Sequence, residues 1–385
     1  MKIVADENLK YAEQLFAEYG ELQLLPGREI NRSAVVDADV LLIRSVTKVD
    51  EQLLTGSRVK FVGTATSGVE HVDQVYLKTN GIHFAHAKGS NAVAVAEYCL
   101  AALCLSHEAG NFDLQTDRVG IVGCGFVGSA LAKLLRELNI PVSVFDPLLD
   151  DEKLKLLSQA GIDFVDLPEI FSCSAVSLHV PLTVSGAFTT HNMIDASLLA
   201  RLSPTSTFIN ASRGGVVNEH DLLNYLNGSP NAFAALDVWE SEPKIDQALR
   251  ARANIATPHM AGYSRKAKAR ATEMLRQQYC VNHLQQPREV RSSDSEGAEV
   301  ATSLDVETAI SAMQKALPLD SLTADYKRQC LSAQPQTQAS VFDSFRKSMI
   351  DRAEFSDYAI SAAKLSGLEI ERIRRLGFAV TEGIG

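Results

Sequence analysis

Two groups of residues in this 385-residue chain have the types and spacing of chemistry. The first is Gly123-Cys124-Gly125-Phe126-Val127-Gly128, entered from the apolar run Val119 to Val122. A strand feeding Gly-x-Gly-x-x-Gly suits a dinucleotide. Gly123 permits a tight turn, Gly125 lets the backbone approach a pyrophosphate, and Gly128 lets the next helix pack close to the strand. The N–H groups opening that helix, expected over Ser129 to Leu138, would face the phosphates. Val142 to Phe145 reads as the next strand and ends on Asp146, whose carboxylate can accept both hydroxyls of an adenosine ribose. It would repel a 2'-phosphate, and Pro147-Leu148-Leu149-Asp150 supplies no arginine to receive one, so the cofactor expected is NAD.

The second group lies downstream. Ile209-Asn210-Ala211-Ser212-Arg213-Gly214-Gly215 ends a strand on an arginine, whose guanidinium can give two parallel hydrogen bonds to a planar carboxylate. Leu236-Asp237-Val238-Trp239-Glu240-Ser241-Glu242-Pro243 and Thr257-Pro258-His259-Met260-Ala261-Gly262-Tyr263 supply an acid and an imidazole. Removing hydride from a secondary alcohol requires a base for the hydroxyl proton, and imidazole titrates closest to neutrality. Glu242 beside His259 would hold the ring tautomer.

These groups need a scaffold, and the hydrophobic pattern supplies one. Before residue 92, apolar strands at Lys2 to Ala5, Val40 to Ile43 and Val59 to Gly63 alternate with a helix over Leu9 to Tyr19, one small α/β unit. A helix over Val93 to His107 leads to the glycine loop. Strands then recur at Phe164-Val165, Ala175 to Val180, Thr207 to Asn210, Ala234 to Val238 and Ile255-Ala256. Such spacing means a doubly wound parallel (Rossmann) nucleotide domain. The helix starting near Arg265 returns toward the first unit, which makes the smaller α/β substrate domain discontinuous, and active sites of such proteins fall in the interdomain cleft. Gln285 to Glu299 is polar and aperiodic and reads as a linker. Beyond it come a short strand near Val300 and helices over Val306 to Ala316, Asp320 to Gln329 and Phe342 to Asp351. The expected division is 1–92 with 257–284 as substrate domain, 93–256 as nucleotide domain, and 285–385 as a C-terminal α+β domain covering a partner subunit, with small-molecule regulation as its alternative.

Composition narrows the partners. A net charge of -10 argues against a nucleic-acid or anionic-membrane surface. Six cysteines without a Cys-x-x-Cys pair read as reduced, buried thiols, and no metal-ligand pattern stands out. The start, Met1-Lys2-Ile3-Val4 followed by Asp6 and Glu7, has the pattern of neither a signal peptide nor a membrane span, so the expected location is the cytoplasm.

The motifs Gly123-x-Gly125-x-x-Gly128, His179-Val180-Pro181-Leu182, Asn210-Ala211-Ser212-Arg213-Gly214, Asp237-Val238-Trp239-x-x-Glu242-Pro243 and Pro258-His259-x-Ala261-Gly262 resemble those of the D-isomer-specific 2-hydroxyacid dehydrogenases. The resemblance covers residues 1 to about 280. It implies that Arg213 binds the substrate carboxylate, Glu242 tunes the base and His259 exchanges the proton. It also implies NAD contacts at Gly123, Gly125, Phe126, Val127, Gly128, Asp146, Pro181, Ala211, Ser212, Arg213 and Gly262, with Asp237 holding the nicotinamide carboxamide.

Further strings narrow it. Leu25-Pro26-Gly27-Arg28, Arg44-Ser45-Val46-Thr47-Lys48-Val49, Gly63 to Asp73 and Gly262-Tyr263-Ser264, together with the C-terminal segment, resemble a branch acting as a homodimer on a small phosphorylated hydroxy acid. Arg44, Ser45, Thr66, Ser67 and Tyr263 would surround its hydroxyls and phosphate, and the Ser67-Gly68 backbone would share the carboxylate. The basic run Arg265 to Arg270 reads either as a phosphate site or as a solvated helix face. Two rival functions remain. One is a dehydrogenase of the same family acting on phosphoglycerate or glyoxylate, and the other is an NAD-sensing, corepressor-like binding protein.

Overall fold

Val40-Leu41-Leu42-Ile43 is buried along its whole length, as a parallel strand covered on both faces must be. It is the central strand of a five-stranded parallel sheet: β1 (Lys2–Asp6), β2 (Glu21–Leu25), β3 (Val40–Ile43), β4 (Phe61–Thr64) and β5 (His83–His86), in the order β2-β1-β3-β4-β5. The computed structural model describes residues 1–281 and 302–382, and these fall into two units. This sheet belongs to the unit of residues 1–91 and 265–281; the other holds residues 92–264 and 302–382. The linker expected at Gln285 to Glu299 lies outside the described residues.

The first unit is discontinuous because the helix Arg265–Tyr279 completes its core. Leu275 and Tyr279 are buried with Ile3, Phe16, Val40 and Phe61, and the Tyr279 ring meets Phe61 edge-on at 5.4 Å. The basic run forms the first turns of this helix. Its alanines Ala267, Ala269 and Ala271 are buried, and Arg270 Nε donates to the Ser90 carbonyl at 2.9 Å.

The second unit carries β6 (Val119–Val122), β7 (Val142–Phe145), β8 (Asp163–Phe164), β9 (Ala175–Leu178), β10 (Thr207–Asn210), β11 (Phe233–Leu236) and β12 (Ile255–Ala256). All pair in parallel, in the order β12-β11-β10-β9-β6-β7-β8. Strand order reverses between β6 and β9, and sheets of this kind bind ligands beyond the carboxyl ends at that point. The helix Ala92–Glu108 is apolar on every side but for Glu97 and is buried from Ala94 to Cys104.

The C-terminal segment adds β13 (Thr302–Leu304), β14 (Tyr358–Ser361) and β15 (Ala379–Thr381), parallel and in that order, with helices Ala309–Ala316, Leu319–Ser332, Gln338–Ser348 and Gly367–Arg375. It shares the core of its unit: Met313, Leu319, Tyr326 and Phe355 belong to the same buried cluster as Val119 and Phe208. It also closes the sheet's β12 edge. Ala256 N–H donates to Thr323 Oγ1 at 3.2 Å, and Lys327 Nζ reaches the Ala253 carbonyl at 2.5 Å, so backbone groups that an edge would expose are paired. No helix among the described residues is long and apolar enough to cross a membrane.

Candidate active site

The glycine loop joins β6 to the helix Phe126–Glu137. That helix starts three residues before the expected Ser129, with Gly125 as its N-cap. The N–H groups of its first turn are therefore those of Phe126, Val127 and Gly128, and the first helical bond runs from Ser129 N to the Gly125 carbonyl at 3.1 Å. Each glycine has its own reason. Gly123 has φ +90°. A Cβ at Gly128 would stand 2.0 Å from the Gly123 carbonyl oxygen, whereas one at Gly125 would meet nothing within 4 Å, which is the open approach a pyrophosphate requires. At the end of β7, Asp146 Oδ2 accepts from Cys124 N at 2.8 Å and Oδ1 from Leu148 N at 3.0 Å. Each oxygen keeps a second lone pair for a ribose hydroxyl.

Arg213 follows β10. Asn210 Oδ1 accepts from both Ser212 N (3.1 Å) and Ser212 Oγ (2.8 Å), and Arg213 Nη1 donates to the Ser212 carbonyl at 2.8 Å. Gly214 lets this turn pass the next strand's exit, because a Cβ there would overlap the Trp239 carbonyl at 1.8 Å. Pro181, after β9, is held by Thr190 Oγ1 donating to its carbonyl at 2.5 Å. In the same motif, His179 is half-buried with its Nδ1 inaccessible, and desolvation pushes its imidazole down to about 3. It is neutral, with Nε2 on Ser177 Oγ at 2.9 Å.

Beyond β11, Glu242 is fixed by Trp239 N donating to Oε1 at 2.9 Å, and its Oε2 lies 2.7 Å from His259 Nδ1. A carboxylate only accepts, so the proton of this bond sits on Nδ1, and it is the neutral form of the ring whose Nε2 presents a lone pair. His259 has φ +54°, a left-handed backbone uncommon outside glycine, and its surroundings hold it there. Its N–H donates to the Asp237 carbonyl at 2.7 Å, and the Asp237 carboxylate accepts Met260 N (2.8 Å), Ala261 N (2.9 Å) and Thr257 Oγ1 (2.7 Å). Burial pushes the Asp237 carboxyl up, and His259 and these donors oppose it. Gly262 and Tyr263 complete the turn, with the Tyr263 ring under the Arg346 guanidinium at 5.7 Å.

The structure thus places Arg213, Glu242, His259, Tyr263 and the expected cofactor residues on the second unit. Arg44, Ser45, Thr66, Ser67 and Gly68 lie on the first. There, Arg44-Ser45 leaves β3 and Ala65 to Gly68 leaves β4, adjacent strands paired at Ile43 and Thr64. Thr66 Oγ1 donates to the Gly68 carbonyl at 2.7 Å, Thr64 Oγ1 contacts Thr66 Oγ1 at 2.8 Å, and His71 Nε2 contacts Thr64 Oγ1 at 3.0 Å. With the Thr66 proton committed, the chain has one consistent direction. His71 Nε2–H donates to Thr64, Thr64 to Thr66, and Thr66 to Gly68, which leaves Thr66 one lone pair for an incoming hydroxyl. Burial lowers the His71 pKa. Ser67 is held by Gly89 N on its Oγ (3.2 Å) and by His86 Nδ1 donating to its carbonyl (3.3 Å). This chain of hydroxyls was not visible in the sequence, although His71 stood in a quoted motif. Among the described residues no group of three or more His, Cys, Asp or Glu is arranged to hold a metal.

Comparison with known proteins adds an independent line. Residues 102–261 match the family described as D-isomer specific 2-hydroxyacid dehydrogenase, NAD binding domain. The chain is 39% identical over 383 residues to the erythronate-4-phosphate dehydrogenase of Photorhabdus laumondii subsp. laumondii, covering 98% of this chain and 99% of the relative. It is 40% identical over 388 residues to the enzyme of the same name from Azotobacter vinelandii, covering 98% of each. D-Lactate dehydrogenase from Aquifex aeolicus, solved with NAD and lactic acid, matches with a TM-score of 0.61 at 21% identity over 73% of this chain and 96% of that one, a likeness of fold.

Proposed function

The chain belongs to the erythronate-4-phosphate dehydrogenase family, within the D-isomer-specific 2-hydroxyacid dehydrogenases, and from that membership we propose that it oxidises 4-phospho-D-erythronate to 2-oxo-3-hydroxy-4-phosphobutanoate with NAD, a step of pyridoxal 5'-phosphate biosynthesis. The observation that carries the chemistry is the 2.7 Å bond from His259 Nδ1 to Glu242, which leaves Nε2 as the base.

When bound, NAD would supply the acceptor for the hydride that leaves C2. Gly125, the first turn at Phe126, Val127 and Gly128, and Asp146 suit its pyrophosphate and adenosine ribose, while Pro181, Ala211, Ser212 and Gly262 are proposed to line the remainder. Asp237 Oδ2 accepts from Ala261 N and keeps acceptor capacity for the carboxamide.

Arg213 binds the carboxylate through its planar fork and stabilises charge developing on the C2 oxygen. His259 Nε2 takes the hydroxyl proton, and Glu242 holds the ring and compensates the imidazolium that forms. Arg44, Ser45, Thr66, Ser67 and Tyr263 are assigned to the substrate's second hydroxyl and phosphate, and the Gly68 backbone to its carboxylate. This rests on their donor chemistry and, for the first-unit residues, on their place at the exits of β3 and β4.

Two further assignments belong to the reading. The chain acts as a homodimer through its C-terminal segment, in keeping with that segment's resemblance and its exposed Leu331 and Leu368. It works in the cytoplasm, in keeping with six free, buried thiols.

The test is single-turnover NADH formation with enzyme in near-stoichiometric amount, comparing 4-phospho-D-erythronate, erythronate and 3-phosphoglycerate. The reading expects NADH with the first alone. NADH only with 3-phosphoglycerate would replace the substrate, and NAD binding without NADH from any of them would replace the enzyme by a sensor.

A further inference from the structure

The His259 loop touches a second, half-buried charge, one that the mechanism above does not use. Arg352, just beyond the helix Gln338–Ser348, donates from Nε to the Tyr263 carbonyl at 2.7 Å and from Nη2 to the Ala261 carbonyl at 2.7 Å. Nη2 also reaches the Ala94 carbonyl of the helix Ala92–Glu108 at 3.3 Å, which ties the guanidinium to the core. Two residues on, Glu354 Oε1 accepts from Ser264 Oγ at 2.5 Å, and Phe355 N donates to Glu97 Oε1 at 2.9 Å. Glu97, Glu354 and Asp237, all nearly inaccessible, are the carboxylates that face Arg352.

The loop therefore lies between opposite charges that do not touch each other. Its N–H groups at Met260 and Ala261 point to the Asp237 carboxylate, and its carbonyls at Ala261 and Tyr263 accept from the Arg352 guanidinium. Ala261 is gripped at both ends of its backbone. Hydrogen bonds to ionised groups are about twice as strong as neutral ones, and here they act in a water-poor interior. The left-handed backbone of His259 immediately precedes the gripped stretch, so the clamp bears directly on the angle at which the imidazole leaves the chain.

We infer that Arg352 is a positioning residue for His259: with Asp237 it clamps the loop 260–263, and so makes the C-terminal segment part of the catalytic machinery. The inference rests on His259 as the base. Lysine in this place keeps the charge but cannot make the forked contact to two carbonyls.

The test compares full-length wild type with Arg352→Lys in three readouts: single-turnover NADH formation from 4-phospho-D-erythronate, NADH affinity by energy transfer from Trp239, the chain's single tryptophan, and the downfield proton resonance of His259 Nδ1–H bonded to Glu242, assigned by its absence in His259→Asn. The expected result is a rate loss on the order of 10²-fold, the cost of a displaced catalytic group, with NADH affinity unchanged and the downfield proton lost to exchange. In Arg352→Ala, methylguanidinium should restore part of the rate. A wild-type rate with the proton retained would overturn the inference, as would parallel loss of rate and NADH affinity, or unfolding of both variants. If wild type forms no NADH but Arg352→Lys still loses the proton, the clamp stands and the substrate reading falls.

Discussion

The loops leaving β4 and β11–β12 are both short turns at the carboxyl ends of parallel strands, yet they are held by different forces. Residues 64–68 are held by neutral groups from nearby in the chain: His71, Thr64 and Thr66 pass hydrogen bonds to the Gly68 carbonyl, and Ser67 leans on His86 and Gly89. Residues 259–264 are held by a buried carboxylate and a half-buried guanidinium, the latter 89 to 91 positions away in sequence from the carbonyls it grips. A neutral hydrogen bond contributes about 1 kcal/mol, whereas parting a charge from its partners away from water costs several times that. The difference assigns the work: recognition to a loop that can adjust, and proton transfer to one that cannot.

The sharpest way to break this comparison is to remove the base. His259→Asn should lower the single-turnover rate about 10³-fold, within the range of general acid–base catalysis, and leave NADH affinity unchanged. Comparable losses in both would mean that His259 serves the loop's shape and not the proton. Glu242→Gln keeps an acceptor for Trp239 N–H but removes the charge beside the ring. A loss on the order of 10²-fold, with KM little altered, is expected in steady-state kinetics. An unchanged kcat would release Glu242 from its role.

The neutral loop should respond in the other parameter. Thr64→Val breaks the chain between His71 and Thr66 at a fully buried position, so a penalty of about 1 kcal/mol should appear as a KM for the phosphorylated substrate raised roughly fivefold, with kcat kept. A fall in kcat at constant KM would place catalysis on the wrong loop.

The effect furthest from turnover belongs to Glu219, whose Oε1 accepts from Glu240 N at 2.7 Å in the segment leading to Glu242. Burial, with the carboxylates of Glu240, Asp246 and Glu242, pushes its carboxyl from 4.5 up to about 7 against that hydrogen bond. Between those values the folded state holds a proton that the unfolded chain has released, so this contribution to stability is complete in acid and lost as pH rises through the window. Glu219→Gln keeps the acceptor and cannot ionise. Its Tm should fall less than that of wild type between about pH 5 and pH 8, and an equal fall would remove Glu219 from the pH response.

Much of the second unit was legible because its chemistry and its strands share one stretch of chain. β6, β7, β10 and β12 are apolar runs ending at the residues that matter: the glycine loop, Asp146, Arg213 and His259. The strands that escaped notice are less apolar or peripheral. β2 and β5 are edges, half-exposed along most of their length, so Glu21, Gln23, His83 and His86 interrupt the apolar run that marks a covered strand. β14 and β15 are short, partly exposed strands of a three-stranded sheet. The earlier start of the helix at Phe126 follows from Gly125 serving as its cap, where the sequence suggested a longer loop. Arg352 left no local signal, because its partners are backbone carbonyls, which any residue supplies.

A clamped catalytic loop and an adaptable recognition loop must differ in how readily they open. The most direct test of that difference is native-state amide hydrogen exchange of the full chain, read on peptides covering 258–264 and 64–71. The account expects Met260 and Ala261, whose N–H groups sit on Asp237, to exchange as slowly as the strands of their sheet, and residues 66–69 to exchange markedly faster. Equal protection of the two loops, or faster exchange at Met260 and Ala261, would contradict it.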